Sequence, residues 1–519
     1  MINCAKKGRI EGGPKDTIPP VFVKAEPANY TTNFDGERIR IYFDEYIKLK
    51  DFQKQLIISP PLKNTIISPQ GTASKYINIA ILDTLEANTT YVFNFGQSIQ
   101  DNNEGNPYSY FKYIMSTGSF IDSLTVKGEI KSALSQFPDN FVTVMLYEID
   151  STYTDSIIYK ENPRYVTNTL DSLTTFELSN LREGTYAIAA LKDEDANFTF
   201  QPKKDKIAFI KEHITVPTDS SYVLTLFNEE IPVSTSRPRH TGAGKITFGV
   251  QGAIDSVRLE MISKVDETVV STLSRKRNKD TLDYFFKPVI KPDSLLFVAT
   301  GPSLRDTLTV KMRTLPADTL VINKLTKATL DLKQPFELGS SIPITEVDTT
   351  LISVVRQDSI SVPFTIDTDA FTKTTRVRFE TAENEAYTIQ MLPEALTDFA
   401  GNKSDTLSYK VRTKEYIDYG DLNFTIANAN EFPYIVQLVT EKEEVVQERF
   451  TNGQTDFTFN ILAPGKYLVR LIKDANGNQR YDSGDYLKRQ QPEAVIYYPK
   501  VIDIRAGWLP TEVFTLTSK

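Results

Sequence analysis

Leu181-Arg182-Glu183-Gly184-Thr185-Tyr186-Ala187-Ile188-Ala189-Ala190-Leu191-Lys192-Asp193 reads as a tight glycine turn feeding a buried strand that ends in Lys-Asp. The tyrosine ring is expected to pack inward while its hydroxyl ties down the turn. Leu462-Ala463-Pro464-Gly465-Lys466-Tyr467-Leu468-Val469-Arg470-Leu471-Ile472-Lys473-Asp474 repeats the frame in the second half of the chain. The match extends on both sides. Phe176, Leu178, Leu181, Gly184, Tyr186, Asp193, Asp195 and Asn197 are echoed at the same spacing by Phe457, Phe459, Leu462, Gly465, Tyr467, Asp474, Asn476 and Asn478.

The preceding stretches match in the same order. Tyr91-Val92-Phe93, Asp101, Gly105-Asn106, Thr117 and Phe120-Ile121-Asp122 return as Tyr387-Thr388-Ile389, Asp398, Gly401-Asn402, Thr413 and Tyr416-Ile417-Asp418, with one residue deleted before the Gly-Asn pair. Two ordered sets of matches make this an internal duplication. The chain reads A–B–C–A′–B′. Its segments are a tether over 1–19, sandwiches over 20–120 and 121–232, a central β module over 243–328, and sandwiches over 329–415 and 416–519. A polar linker is read around Ser234–Gly242.

Composition supports an all-β class. The 519 residues include 25 Tyr and 30 Phe, with 27 Pro and 23 Gly spread as many short turns require. Period-two runs such as Arg38-Ile39-Arg40-Ile41-Tyr42-Phe43 and Thr90-Tyr91-Val92-Phe93-Asn94-Phe95 are strand patterns. Val257–Met261 and Ser294–Ala299 are read as strands of the central module. The length calls for several cores. The net charge of −8 and the absence of a basic stripe argue against nucleic acid. The cluster Arg275-Lys276-Arg277-Asn278-Lys279 reads as a hairpin tip; the functional alternative is a contact to acidic partners or lipid phosphates. One cysteine excludes an internal disulfide framework, and no run of 18 apolar residues is present.

Segment A resembles the bacterial Ig-like domains of secreted and surface proteins. The likeness rests on Asp16-Thr17-Ile18-Pro19-Pro20, Glu26-Pro27-Ala28, Ile41-Tyr42-Phe43-Asp44-Glu45, Leu85 to Tyr91, and Asp101 with Gly105-Asn106. A′ keeps the second half of the pattern. B and B′ look like transthyretin-like or carboxypeptidase regulatory-like sandwiches, on Leu181-x-x-Gly184-x-Tyr186 and its twin. These are interaction and spacer folds. The opening Ile2-Asn3-Cys4-Ala5, followed by Gly12-Gly13-Pro14, resembles the mature start of Bacteroidota lipoproteins, which implies acylation at Cys4. Met1-Ile2-Asn3 is too short for an apolar leader core, so a leader has been removed or the start shown is not the true one. Lys6-Lys7 stand where surface-exported members often carry acids, which leaves the membrane face open, with the cell surface preferred.

Asp-Ser/Thr before an apolar residue or Thr is similar to the O-glycosylation acceptor of Bacteroidota envelope proteins. It places candidate sites at Thr84, Ser123, Ser172, Thr281, Thr307, Thr319, Ser359 and Thr406. The same pattern also closes turns by side-chain hydrogen bonding before a strand.

Candidate chemistry is sparse. His213 and His240 are the only histidines and have no ligand spacing; no nucleophile elbow, phosphate loop or dinucleotide fingerprint occurs. No catalytic residue and no required cofactor are expected. Asp474, Asn476, Asn478, Asp482 and Asp485 put oxygens at alternate positions of a Gly-bearing turn, a pattern that can surround Ca²⁺ and equally makes a solvated Asx-rich turn. Trp508, the only tryptophan, reads as a cap over a sandwich end or as a glycan or protein contact. The expectation is a non-enzymatic, lipid-anchored outer-membrane lipoprotein. Its partners are expected to be an outer-membrane β-barrel protein and other lipoproteins, by resemblance to accessory subunits of the β-barrel assembly machinery. The alternative is a carbohydrate-binding lipoprotein of a glycan-uptake system, which calls for exposed aromatic platforms at Tyr108–Tyr113 or Tyr497-Tyr498.

Overall fold

The computed structural model describes residues 15–170 and 173–517. They form an all-β chain with a four-residue helix and short 3₁₀ turns between strands. Contacts divide it into two units. Unit 1 holds the chain up to Glu229 together with Tyr481–Val495; unit 2 holds Glu230–Arg480 and the chain from Ile496.

Unit 1 begins with eight strands: β1 (Phe22–Glu26), β2 (Arg38–Leu49), β3 (Ile57–Ser59), β4 (Thr65–Ser68), β5 (Ser74–Ile81), β6 (Thr90–Asn94), β7 (Ile99–Asp101) and β8 (Lys112–Ser116). One sheet runs β1-β2-β5-β4, with β7 on β2; the other runs β3-β6-β8. Strand alternation sets the faces. Ile39, Ile41, Ile77 and Ile79 point into a core shared with Tyr91, Phe93 and Tyr113, while Arg38, Arg40, Tyr42 and Tyr76 occupy the other face. Each fully buried Ile or Phe contributes about 1.5–3 kcal/mol relative to exposure.

The second sandwich comprises β9 (Leu124–Ser132), β10 (Thr143–Glu148), β11 (Tyr165–Asn168), β12 (Thr175–Leu181), β13 (Gly184–Lys192), β14 (Lys206–Phe209), β15 (Ile214–Val216) and β16 (Ser221–Leu226). One sheet runs β12-β9-β16, with β16 parallel to β9; the other runs β11-β10-β13-β14, with β15 on β13. In unit 2 the last sandwich has the same topology. Asp456–Leu462, Gly420–Ala427 and Thr511–Thr515 form the three-stranded sheet, the last pair parallel, and Val445–Thr451, Tyr434–Thr440, Gly465–Lys473 and Val495–Tyr497 follow the five-stranded order, with Ile502–Ile504 on Gly465–Lys473. The duplication read from the sequence is therefore a duplication of strand order.

The repeated tyrosine does what the turn pattern implies. The Tyr186 hydroxyl donates to the Arg182 carbonyl at 3.2 Å and the Tyr467 hydroxyl to the Ala463 carbonyl at 2.7 Å. A Cβ at Gly184 would lie a tight 3.2–3.3 Å from the Tyr186 ring and hydroxyl, whereas at the twin Gly465 the nearest Tyr467 atom is 3.8 Å away. The Ig-like pair repeats a different device. Tyr91 accepts from the Glu86 N–H at 3.0 Å and Tyr387 from the Ala382 N–H at 2.6 Å. The Thr117 and Thr413 hydroxyls each donate at 2.6 Å to the carbonyl of that same residue, Glu86 or Ala382.

The middle of unit 2 differs from the sequence reading at both edges. Ser234–Thr235 and Arg239–Gly242, read as a linker, are short strands paired with Lys245–Gln251. Ile322–Lys324 lies before position 329 but pairs with Phe336–Ser340, in the sheet that continues through Thr374–Phe379. An asparagine clamp explains how early that region begins. The Asn402 amide donates to the Asp318 carbonyl at 3.4 Å, as the Asn106 amide donates to the Asp16 carbonyl at 3.1 Å. The hairpin tip is as read: Val270–Arg275 and Thr281–Lys287 pair around Asn278, whose φ is 52°.

Tyr481–Val495 is the largest departure. The sequence places it in the last sandwich, yet it packs in unit 1 on the outer face of the β10-β13-β14 sheet. Tyr486 is buried there, its ring 5.2 Å from Phe209 and 6.3 Å from Tyr159. A Cβ on Gly484 would meet the Phe227 ring at 2.5 Å, so this seat needs glycine. Nothing in local periodicity reports such long-range packing.

Candidate binding surface on the first sandwich

Strands β1, β2 and β5 lay their outward side chains in rows. Lys24, Tyr42 and Tyr76 form one row, Glu26, Arg40 and Asn78 the next, and Arg38 and Ala80 a third that continues to Ile66 of β4. Within this grid the rings of Tyr42 and Tyr76 lie 5.9 Å apart. The Lys24 ammonium sits over Tyr42 and the Arg40 guanidinium over Tyr76, each 4.9 Å from the ring centre. Lys75 lies 5.6 Å above Tyr46. Such cation–π contacts are worth about 0.5–1 kcal/mol at exposed sites and hold the cations in fixed places.

The charges are unevenly matched. Lys24 pairs with Glu26 at 2.5 Å, and the Tyr42 hydroxyl donates to the same carboxylate at 3.2 Å. The hydrogen bond to Glu26 and its charge hold the Lys24 ammonium above its ordinary value; the bonds from Lys24 and Tyr42 hold Glu26 below. Arg40 is raised by its contacts with Tyr42. Glu26 is directly opposite Arg40 but is engaged by Lys24. Arg38 and Arg40 are both exposed, and neither forms an ion pair among the described residues. The period-two run Arg38–Phe43 sets both arginines and Tyr42 on one face of the strand, but the cross-strand contact with Tyr76 needs the register.

Most residues proposed from the sequence lie elsewhere. Cys4 and Ser172 fall outside the described residues. Thr84, Ser123, Thr307, Thr319, Ser359 and Thr406 are exposed, and Thr281 is half-buried in a strand. Asp474 is buried, and its carboxylate accepts the Asn478 N–H at 3.1 Å and the Gln479 N–H at 2.9 Å. Its twin Asp193 accepts the Phe198 N–H at 2.7 Å. Asp474, Asn476 and Asn478 belong to unit 2, whereas Asp482 and Asp485 belong to unit 1. There Asp482 donates its N–H to Glu493, and Asp485 pairs with Lys488 at 2.7 Å. Among the described residues no group of three or more His, Cys, Asp or Glu is arranged to hold a metal ion.

His213 lines an open cavity of about 500 Å³ in unit 1. Tyr153 packs edge-on against it at 5.6 Å, and Arg489 in the same wall pairs with Asp155 at 3.1 Å. His240 accepts the Arg313 N–H at 3.1 Å, a local structural bond. Phe111 and Tyr113 are core residues, Tyr108 packs on Phe111 at 5.8 Å, and Tyr498 is buried between Phe424 and Phe514. Of the remaining tyrosines in these clusters, Tyr110 is 48% exposed and Tyr497 is half-buried. Trp508 is 56% exposed and so does not cap a sandwich end; Arg505 covers its ring at 5.0 Å.

These features meet a known family in one place. Residues 16–116 match the bacterial Ig-like domain. No curated protein matches the chain. Among solved structures, the surface layer protein SbsC (domains 1–6) aligns over 94% of this chain and 67% of its own, at 11% identity and a TM-score of 0.15. The surface glycan-binding protein SGBP-B of the Bacteroides ovatus mixed-linkage glucan utilization locus, in complex with a heptasaccharide, aligns over 74% and 91%, at 10% identity and a TM-score of 0.19. The I9–I11 tandem of titin aligns over 55% and 100%, at 12% identity and a TM-score of 0.13. At these scores the likenesses bear on neither activity nor partner.

Proposed function

We propose that this chain is a non-catalytic binding protein of the outer membrane, held by a lipid on Cys4, that docks another protein through its sandwich faces. The observation that carries the reading is the Tyr42–Tyr76 face, where the Tyr76 ring braces Arg40 beside the exposed Arg38. Tyr and Arg are the residue types that dominate binding energy at protein interfaces. The partner in this reading is a β-barrel protein of an outer-membrane complex, together with other lipoproteins, and barrel assembly is the process we assign to it. In this reading the protein faces the cell exterior.

A glycan-binding reading rests on Trp508, 56% exposed, but Arg505 already sits over its ring as cations do on the first sandwich. The first sandwich favours protein over sugar, because cations sit over both of its ring faces.

Detergent extraction of the native protein after cross-linking, with neighbours identified by mass spectrometry, tests both readings. Recovery with a barrel-assembly core supports the first. Recovery with glycan-uptake components, and retention on an oligosaccharide column lost in Trp508→Ala, supports the second. A soluble, unlipidated monomer contradicts both.

A further inference from the structure

We propose that the Arg38–Arg40 face of the first sandwich docks an extended, acidic segment of a partner protein. This rests on the protein-binding reading above and names its chemistry. Arg38 and Arg40 project from the same side of β2, so they repeat every second residue, about 7 Å apart. An extended peptide with carboxylates at alternate positions has the same repeat. The Arg40 guanidinium lies 4.9 Å from the centre of the Tyr76 ring, which limits its movement, and guanidinium suits two-point bonding to carboxylate. The nearest acid in the register, Glu26, is already taken by Lys24. Ile66, 57% exposed at the end of the Arg38 row, adds an apolar contact beside the charges.

Charge complementarity selects the occupant. Within these rows Lys24, Arg38 and Arg40 face a single acid, Glu26, which pairs with Lys24 and also attracts Arg40, so the face keeps an excess of cations on a chain of net charge −8. A second copy would bring a net-negative body whose own matching face is cationic. A neutral glycan would find the faces of Tyr42 and Tyr76 already covered.

The test uses the full chain and a fluorescently labelled octapeptide of alternating glutamate and threonine, read by anisotropy at rising salt. Binding is expected at low salt, weakening steeply as salt rises. R38E with R40E is expected to lower affinity at least ten-fold while the chain stays folded with a modestly lowered Tm, Y76A to lower it several-fold, and R277E at the hairpin tip to leave it intact. No binding, or equal binding by R38E/R40E, overturns the proposal. Preference for an acidic oligosaccharide such as an alginate fragment, or for vesicles containing phosphatidylglycerol, overturns the assignment to protein. Cross-linking the R38E/R40E variant in cells separates the two levels. Loss of the partners recovered with the unaltered protein supports this surface. Their retention overturns the surface but leaves protein binding standing, whereas no partner with either form removes both.

Discussion

Asn180 and Ile461 occupy the same place in the repeated sandwich, one residue before the turn leucine, and both have left-handed backbones, with φ of 60° and 58°. The place is a bulge in each case: pairing skips between Leu178 and Leu181 against β9, and between Gly420 and Leu422 against Asp456–Leu462. Asparagine tolerates this conformation, whereas a β-branched residue there is strained by about 1–2 kcal/mol. Ile461→Gly is therefore expected to stabilise unit 2 by about 1 kcal/mol, less the packing of a half-buried side chain. Asn180→Ile is expected to destabilise unit 1 by a similar amount. Urea unfolding of each variant checks the opposite signs.

The Ig-like pair gives a second matched test. Tyr91 and Tyr387 are buried, and each hydroxyl accepts a backbone N–H of the turn before its strand. Replacing either by Phe leaves that donor without its acceptor, a cost of about 1–3 kcal/mol. Because Thr117 and Thr413 hold the same turns, Tyr91→Phe with Thr117→Val is expected to exceed the sum of the single losses. A double-mutant cycle by thermal unfolding reads the coupling.

These pairs also show why the fold was legible and the surface was not. The repeated Tyr, Gly, Asn and Asp mark turns, and turn chemistry is local, so sequence spacing carries it. The all-β, tandem-sandwich class followed from the same residues. Tyr42 meeting Tyr76 depends on which strand lies beside β2, and Tyr486 meeting Phe209 on a segment hundreds of positions away. Neither contact leaves a periodicity to read. The linker reading of Ser234–Gly242 failed for a related reason: two- and four-residue strands are held by their neighbour, Lys245–Gln251, and have no pattern of their own.

The Asp474 loop reads in sequence as a calcium site or as an Asx-rich turn, and its geometry gives Asp474 a turn-closing role. Its buried carboxylate accepts two backbone N–H groups. Asp474→Ala takes the acceptor from the Gln479 N–H, whereas the Asn478 N–H keeps Asn476 at 3.0 Å; the expected cost is about 1–3 kcal/mol, read as a lowered Tm. A cation held by the loop would add a chelator-sensitive component that vanishes in the same variant. The turn chemistry alone gives a loss indifferent to EDTA, and that indifference is the expected result.

Lys373 and Asp283 form a buried ion pair at 3.1 Å, both side chains 9% exposed. Thr247 also donates to the carboxylate at 2.8 Å, and Phe285 lies 5.7 Å under the ammonium. Removing the cation alone strands a buried charge. Lys373→Ala is expected to destabilise unit 2 by about 3 kcal/mol, whereas Lys373→Met with Asp283→Leu is expected to recover most of the loss. Equal losses in the single and double variants would show that packing volume, not charge, sets the cost.

Asp101 predicts an acid-limb effect with a defined sign. Burial pushes its carboxyl up, but the N–H groups of Asn106, Glu104, Gly105 and Asn103 together outweigh it and leave the value below the usual carboxylate range. A carboxyl lowered in the native state stabilises the fold above its unfolded value, near pH 4. That contribution falls away as pH drops through the native value. Asp101→Asn is expected to lower stability at pH 7 by about 1–3 kcal/mol, because an amide cannot accept from all four donors. The variant should also lose part of the decline seen below pH 4. Unfolding at pH 7, 4 and 3 for both proteins gives the comparison: the gap between them should narrow toward pH 3, and a gap that widens on acidification would place the carboxyl above, not below, its ordinary range.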